Sequence, residues 1–235
     1  FSTTSLVFTM NAKTPMKLSS NTTKILKNFS QINQSILIKQ GNKLNTISVM
    51  KNIYAEAEVD EDFEKDFAIY DLNQFLSGLS LYDSPDLDFG ESYLTIRDGR
   101  RRAKYFFADP NVIVSPPEKE IVLPTRDVCF TVATQQLDKL LKAASIYQVP
   151  DLSAIGRNGK IELVVSDKKN DTSHEFSEEV GECDSDFCFN FKVENIKIIP
   201  GTYDVVISRK LLAEFTNKNT DLKYYIALEP DSTYG

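Results

Sequence analysis

A chain of 235 residues, 41% hydrophobic and 26% charged, has the composition of a globular protein with room for one large domain or two ordinary ones. No apolar run approaches the roughly 20 residues of a membrane span, and Phe1 to Phe8 are too short, and lack the basic start, for a signal peptide. A net charge of −7 excludes a surface that is basic all over, and three cysteines, an odd and sparse set, fit a reducing compartment.

Residues 1–15 read as an N-terminal extension, disordered or foreign to the native chain, with the native start at Met16. A helix is expected over Ser19–Ile32, capped by Ser20 or Asn21, with Ile25, Leu26, Phe29 and Ile32 on one face. Its other face carries Ser20, Lys24, Lys27 and Gln31, and no acid lies between Lys17 and Gln40. Strands follow at Ser35–Gln40 and Leu44–Met50 around a Gln40-Gly41-Asn42 turn, then at Tyr54–Val59 and Phe67–Tyr70, with an acidic stretch, Asp60–Asp66, between the last two. A second helix, Asp71–Leu81, has an acid-free outer face with Gln74 and Ser77. Asp83–Glu91 reads as a solvated acidic turn. Tyr93–Arg97 and Arg101–Phe107 form a hairpin around Asp98-Gly99.

Pro110 to Pro124, with Pro116-Pro117, reads as a linker. Beyond it come a strand, Val128–Val132, and a helix, Thr134–Tyr147, with Lys139 and Lys142 opposite its apolar face. Strands at Leu152–Ile155 and Lys160–Ser166 flank an Arg157-Asn158-Gly159 turn. Asp167–Asp186 reads as a polar, mobile stretch. A strand, Phe187–Phe191, a short helical turn, Val193–Lys197, and three strands, Tyr203–Ser208, Leu211–Thr216 and Lys223–Leu228, complete the chain. The order helix, strands, helix, strands thus occurs twice. That predicts an α+β fold of two similar domains, 16–110 and 126–235, joined by a linker at 111–125.

The chemistry of catalysis is hard to assemble. A single histidine, His174, sits in a polar loop, so no nucleophile has an evident base. Cys183 and Cys188 lack a second pair of zinc ligands, Asp83–Glu91 lacks the spacing of a calcium loop, and Gly156–Lys160 lacks the context of a phosphate loop. No catalytic residue, metal site or cofactor is expected. The basic run Arg97, Arg100, Arg101, Arg102 and Lys104 leaves three readings open: phosphate contact, pairing with acids across a subunit boundary, or plain solvation.

From Met16 onward the chain resembles the sliding clamps of T-even-type bacteriophages. The resemblance is carried by Met16-Lys17-Leu18-Ser19 with Ile25–Phe29, by Tyr70-Asp71-Leu72-Asn73 with Phe75-Leu76-Ser77, by Asn195, Lys197-Ile198 and Pro200-Gly201-x-Tyr203, and by Tyr225-Ile226-Ala227-Leu228-Glu229-x-Asp231-Ser232-Thr233. It is looser over Asp83–Val122 and Ser166–Asp186. The resemblance implies a DNA clamp fold, two similar domains each with two helices on antiparallel sheet, and three subunits in a closed ring with helices lining the hole. It implies a non-enzymatic polymerase processivity factor that encircles duplex DNA without reading its sequence. DNA polymerase and a clamp loader ATPase are its implied partners, transcription coactivation a further role, and the cytoplasm of an infected bacterium its location. Lys24, Lys27, Lys139, Lys142 and, more weakly, Lys197 are then the DNA-facing residues. Met50, Ile53, Leu123, Tyr225 and Leu228, with Pro230 at the rim, are the candidates to bind a partner's hydrophobic peptide. The rival reading is a two-domain interaction or structural module with no DNA in any hole.

Overall fold

A computed structural model describes residues 15–235; apart from Pro15, the extension expected at 1–15 lies outside the described residues. In chain order the elements are α1 (Ser20–Ile32), β1 (Ile36–Ile38), β2 (Gly41–Ile47), β3 (Ile53–Phe63), β4 (Phe67–Ile69), α2 (Leu72–Leu79), β5 (Asp86–Phe89), β6 (Tyr93–Asp98) and β7 (Arg101–Phe106). A 3-10 turn at Pro110–Val112 then opens the linker. β8 (Val128–Val132), α3 (Thr134–Tyr147), β9 (Asp151–Arg157), β10 (Lys160–Ser166), β11 (Phe176–Glu182) and β12 (Phe187–Lys192) follow. A second 3-10 turn, Val193–Asn195, leads to β13 (Tyr203–Ser208), β14 (Leu212–Asn217), β15 (Leu222–Ala227) and β16 (Thr233–Tyr234).

Local chemistry fixes the helix ends. Ser19, rather than the expected Ser20 or Asn21, caps α1, its hydroxyl accepting from the Thr22 amide at 3.1 Å, and Asp71 caps α2 by accepting from Gln74 at 2.9 Å. At the start of α3, Ala133 has no capping side chain, so Gln136 reaches back and its amide oxygen accepts from the Ala133 amide at 3.0 Å. Asn158 and Gly159, both at positive φ, form the two-residue loop between β9 and β10.

The ladders, all antiparallel, repeat between the halves. β1 pairs with β4 as β9 does with β12, and β2 with β3 as β10 does with β11. Each of these second pairs has a register shift near the start of its first strand, at Gly41/Lys43 and at Ile161/Glu162. β5, β6 and β7 form a meander, as β13, β14 and β15 do. Met16 bridges to Leu87 on β5 where β8 pairs with β13. α1 packs on β3 and α3 on β11.

The halves are fused where β15 pairs with β3, from Leu222 opposite Ala57 to Ile226 opposite Ile53. This creates a six-stranded sheet in the order β2-β3-β15-β14-β13-β8. One apolar core runs through both halves, and a buried polar chain crosses it. Tyr224 on β15 donates to the side-chain Oδ1 of Asn28 on α1 at 2.7 Å and accepts from the Ile199 amide at 3.1 Å, while the Asn28 side-chain Nδ2 donates to the Lys197 carbonyl at 3.0 Å. Burial pushes the Tyr224 phenol up, so it stays a neutral donor.

Four further expectations need correction. The acidic stretch Asp60–Asp66 is mostly strand: β3 continues to Phe63, with Val59, Glu61 and Phe63 buried and Asp60 and Asp62 exposed, so alternation places two of its acids in water. Asp83–Glu91 contains β5, because Leu87 is buried against β6 and Met16. Asp167–Asp186 contains β11, whose Phe176 and Val180 pack against the core while Ser177 and Glu179 face out. The helical turn expected at Val193–Lys197 is a single 3-10 turn of three residues, so among the described residues two α-helices belong to the first half and one to the second.

Glu61 carries part of the fold's pH response. Its carboxylate accepts from the Ser19 amide at 2.6 Å and from the Thr22 hydroxyl, fastening β3 to the start of α1. Burial pushes the carboxyl up, but these bonds outweigh it and hold it below the usual glutamate value. A depressed folded value contributes stability above the unfolded value of about 4.3 that is lost as pH falls through the folded value. Glu61→Gln is therefore expected to lower the unfolding free energy by about 1–2 kcal/mol at neutral pH. The loss should shrink below pH of about 4, as denaturant unfolding at the two pH values would reveal. An equal loss at both would show that the charge plays no part.

Candidate functional site

The lysine-bearing faces follow from helix periodicity. Burying Ile25, Leu26, Phe29 and Ile32 leaves Ser20, Asn21, Lys24, Lys27 and Gln31 exposed on α1. On α2, which packs beside α1, Gln74 and Ser77 are exposed. On α3, Leu137, Leu140, Ala143 and Ala144 are buried, and Lys139 and Lys142 are exposed together with Asp138. Lys197 is half-buried beyond the second 3-10 turn, and the bond from Asn28 to its carbonyl brings it against α1. Among the described residues none of these five lysines forms an ion pair. Their charge is left for an external anion, in a protein whose net charge is −7.

The peptide-binding candidates are divided by strand alternation. Tyr225 lies directly opposite Tyr54 where the halves join, with ring centroids 5.9 Å apart. Both point away from the main core into a second apolar cluster with Ile47, Val206 and Leu123, against which Ile121 and Leu212 also pack. The linker is thus laid onto this cluster through Ile121 and Leu123. Ile53 and Leu228 instead belong to the main core, because Ile53 is one residue from Tyr54 and faces the other way. Met50 is 82% exposed in the turn between β2 and β3, next to Val49 at 66%, and Val122 on the linker is 72% exposed. Pro230 is exposed just beyond β15.

The outer cluster has a charged rim. The Tyr54 hydroxyl donates to Glu56 at 2.7 Å, and the Tyr225 hydroxyl donates to Glu214 at 2.9 Å. Burial, reinforced by these carboxylates, pushes both phenols well up, so both remain protonated donors. Lys43 pairs with Glu56 at 3.1 Å and Arg126 with Glu214 at 3.8 Å. Sequence reading missed Tyr54, Ile47 and Val206. The alternation of Tyr54–Val59 gave the parity of Tyr54, but the partner strand is some 170 residues away in the chain, and no local signal names it.

His174 lies tilted against the Tyr147 ring, centroids 5.5 Å apart. The three cysteines are free thiols. Among the described residues no group of three or more His, Cys, Asp or Glu is placed to hold a metal ion.

Residues 17–115 match the family described as DNA polymerase processivity factor, and residues 129–230 match that described as gp45 sliding clamp, C terminal. The chain is 35% identical over 230 residues to the sliding clamp of Escherichia phage RB69, covering 93% of this chain and 99% of that protein. It is 33% identical to the sliding clamp of Enterobacteria phage T4, with the same coverage. Among solved structures, PCNA from Thermococcus kodakaraensis superposes with a TM-score of 0.68 at 15% identity, covering 91% of this chain and 99% of that one. The DNA polymerase III subunit beta sliding clamp of Bartonella birtlesii gives 0.69 at 13% identity, covering 91% and 64%; at such identities the likeness concerns the fold.

The linker's hold on the outer cluster can be measured. Leu123→Ala is expected to lower stability by about 1–3 kcal/mol and to speed tryptic cleavage after the exposed Lys119 about fivefold or more. Unchanged cleavage would mean that Leu123 does not anchor the linker.

Proposed function

This chain belongs to the sliding-clamp family, the non-catalytic DNA polymerase processivity factors of T4-like phages, and on that basis we propose that three copies close into a ring through which duplex DNA slides. Each copy contributes two similar domains, 16–110 and 126–235, joined by the linker at 111–125. The supporting observation is the acid-poor lysine surface of α1 and α3, which forms no ion pair among the described residues, on an otherwise acidic chain. Three copies carry three times −7, so the outside of the ring repels DNA, and only a lining of lysines and neutral polar groups accommodates phosphates.

Topology supplies retention. A closed ring does not leave DNA sideways, so the contacts can be weak. Lys24, Lys27, Lys139 and Lys142, with Lys197 beside them, touch phosphates loosely and through water, which permits sliding. Base-edge recognition would stall the ring.

The second activity is docking. A hydrophobic peptide from the DNA polymerase, or from the clamp loader ATPase at another time, docks over the buried cluster of Tyr54, Tyr225 and Leu123, meeting the exposed Met50, Val122 and Pro230 at its margins. Ile53 and Leu228 support that surface from beneath, within the core. Coactivation of transcription would use the same surface. The place of action is the cytoplasm of the infected bacterium.

Replacing Lys24, Lys27, Lys139 and Lys142 together by Glu tests the DNA-facing assignment. Processive synthesis by the cognate polymerase should fall at least about tenfold, while the molar mass in solution stays near three times 26.6 kDa. Full processivity from a normally assembled quadruple variant would overturn the assignment and favour a module that holds no DNA.

A further inference from the structure

We infer that Asn28 is a positioning residue for DNA contact: with the phenols of Tyr203 and Tyr224 it holds the helix-free segment 196–200 of the second half against α1, so that Lys197 joins Lys24 and Lys27 in one cationic strip across the seam of the two halves. This rests on the DNA-facing reading above and deepens it by naming what fixes the strip's outlying member.

The segment needs partners from outside itself. After the 3-10 turn at Val193–Asn195 the chain neither continues as helix nor joins a ladder. Ile196, Ile198 and Ile199 are β-branched, and Pro200 brings no amide hydrogen. Ile196 and Ile199 are nevertheless buried, so their backbone is taken out of water, where unpaired polar groups are costly. Three side chains fill the gap. The Asn28 Nδ2 donates to the Lys197 carbonyl at 3.0 Å, the Tyr224 hydroxyl accepts from the Ile199 amide at 3.1 Å, and the Tyr203 hydroxyl donates to the Ile199 carbonyl at 2.5 Å. Asn52 adds a contact just before them, its Nδ2 donating to the Asn195 Oδ1 at 3.3 Å. Asn28 and Asn52 belong to the first half, so the segment is tied across the seam.

Helix periodicity places this clasp beside the lysines. Asn28 lies four residues after Lys24 and three before Gln31, so it stands at the border between the exposed strip of α1 and its buried face. On the opposite border Thr23 and Lys27 line a cavity with Leu76 and Leu79 of α2. The exposed strip is therefore flanked by α2 on its Lys27 side and by the Lys197 segment on its Lys24 side. The orientation of that segment decides which sign it presents. Glu194, three residues before Lys197, is exposed, and a segment free to turn would offer a carboxylate to phosphate as readily as an ammonium. Pinned at the Lys197 carbonyl and again at Ile199, the segment keeps the lysine next to α1.

The test uses the full chain, loaded by the cognate clamp loader onto a nicked circular duplex, with lysine acetylation followed residue by residue by mass spectrometry. In the unmodified protein, loading should slow modification of Lys197 and Lys24 at least about threefold. Asn28→Ser should abolish the protection of Lys197 and leave that of Lys139 and Lys142. It should also lower the salt concentration at which processive synthesis is halved by as much as Lys197→Gln does, and the two substitutions together should add nothing further. Val165→Ala opens a cavity in the buried face of β10, away from the segment, and as the control for lost stability should leave Lys197 protected. If Asn28→Ser does not fold, Tyr203→Phe, which removes the bond to the Ile199 carbonyl, decides in its place and should lose protection at Lys197 alone. Undiminished protection of Lys197 in the deciding variant overturns the inference, as does its loss in Val165→Ala. Protection of Lys24 and Lys139 without Lys197 in the unmodified ring overturns the positioning role and leaves the DNA-facing reading standing. No protection at any of these lysines overturns that reading itself.

Discussion

The antiparallel ladder between β3 and β15 is the constraint on which the rest of the structure depends. It turns two half-sized α+β units into one continuous sheet. The Asn28 side chain on α1 reinforces it from the core side, bound to Tyr224 and to the Lys197 carbonyl in the other half. An amide buried that deeply loses far more when its partners are removed than it gains net when they are present. The ladder and the network therefore hold each half to the other, and with them the orientation of the helix surfaces and the position of the outer tyrosines.

That one joint also sorts side chains into their tasks. Alternation along β3 and β15 sends Ile53, Ala55, Tyr224 and Ile226 into the main core and Tyr54 and Tyr225 to the other side of the sheet, into the second buried cluster. The linker then lies across the outer pair, so the segment connecting the halves also covers their seam. Lysines on α1 and α3 gather free positive charge on helices, while acids are spread along strands such as β3 and β11.

What could be read from sequence followed the strength of local signals. α1 and α3 were legible because each is long, amphipathic and closely punctuated, so their lysines could be named as exposed. The β9–β10 turn was legible because Asn-Gly specifies its geometry. β5 and β11 were not: their apolar residues are few and their outward positions acidic, so short edge strands read as solvated loop. The fourth helix failed for the opposite reason, since Ile196, Ile198 and Ile199 suit extended chain and Pro200-Gly201 ends the segment. Which of the peptide-binding candidates lie in the main core and which in the second cluster was not legible, because a one-residue difference in strand parity moves a side chain to the other side of the sheet.

The carboxylates around the two outer tyrosines bear on which ligands that surface admits. Glu56 and Glu214 accept the phenol hydrogens, and Glu120 on the linker adds its negative field to both rings. The apolar cluster is therefore framed by anions that Lys43 and Arg126 only partly neutralise. Under the docking proposal, an incoming peptide with an aspartate beside its anchor would meet repulsion, and one flanked by arginine attraction, whatever its anchor. The seam would then act as a sorter by sign, and affinities for two peptides differing by a single flanking charge would report how sharply it discriminates.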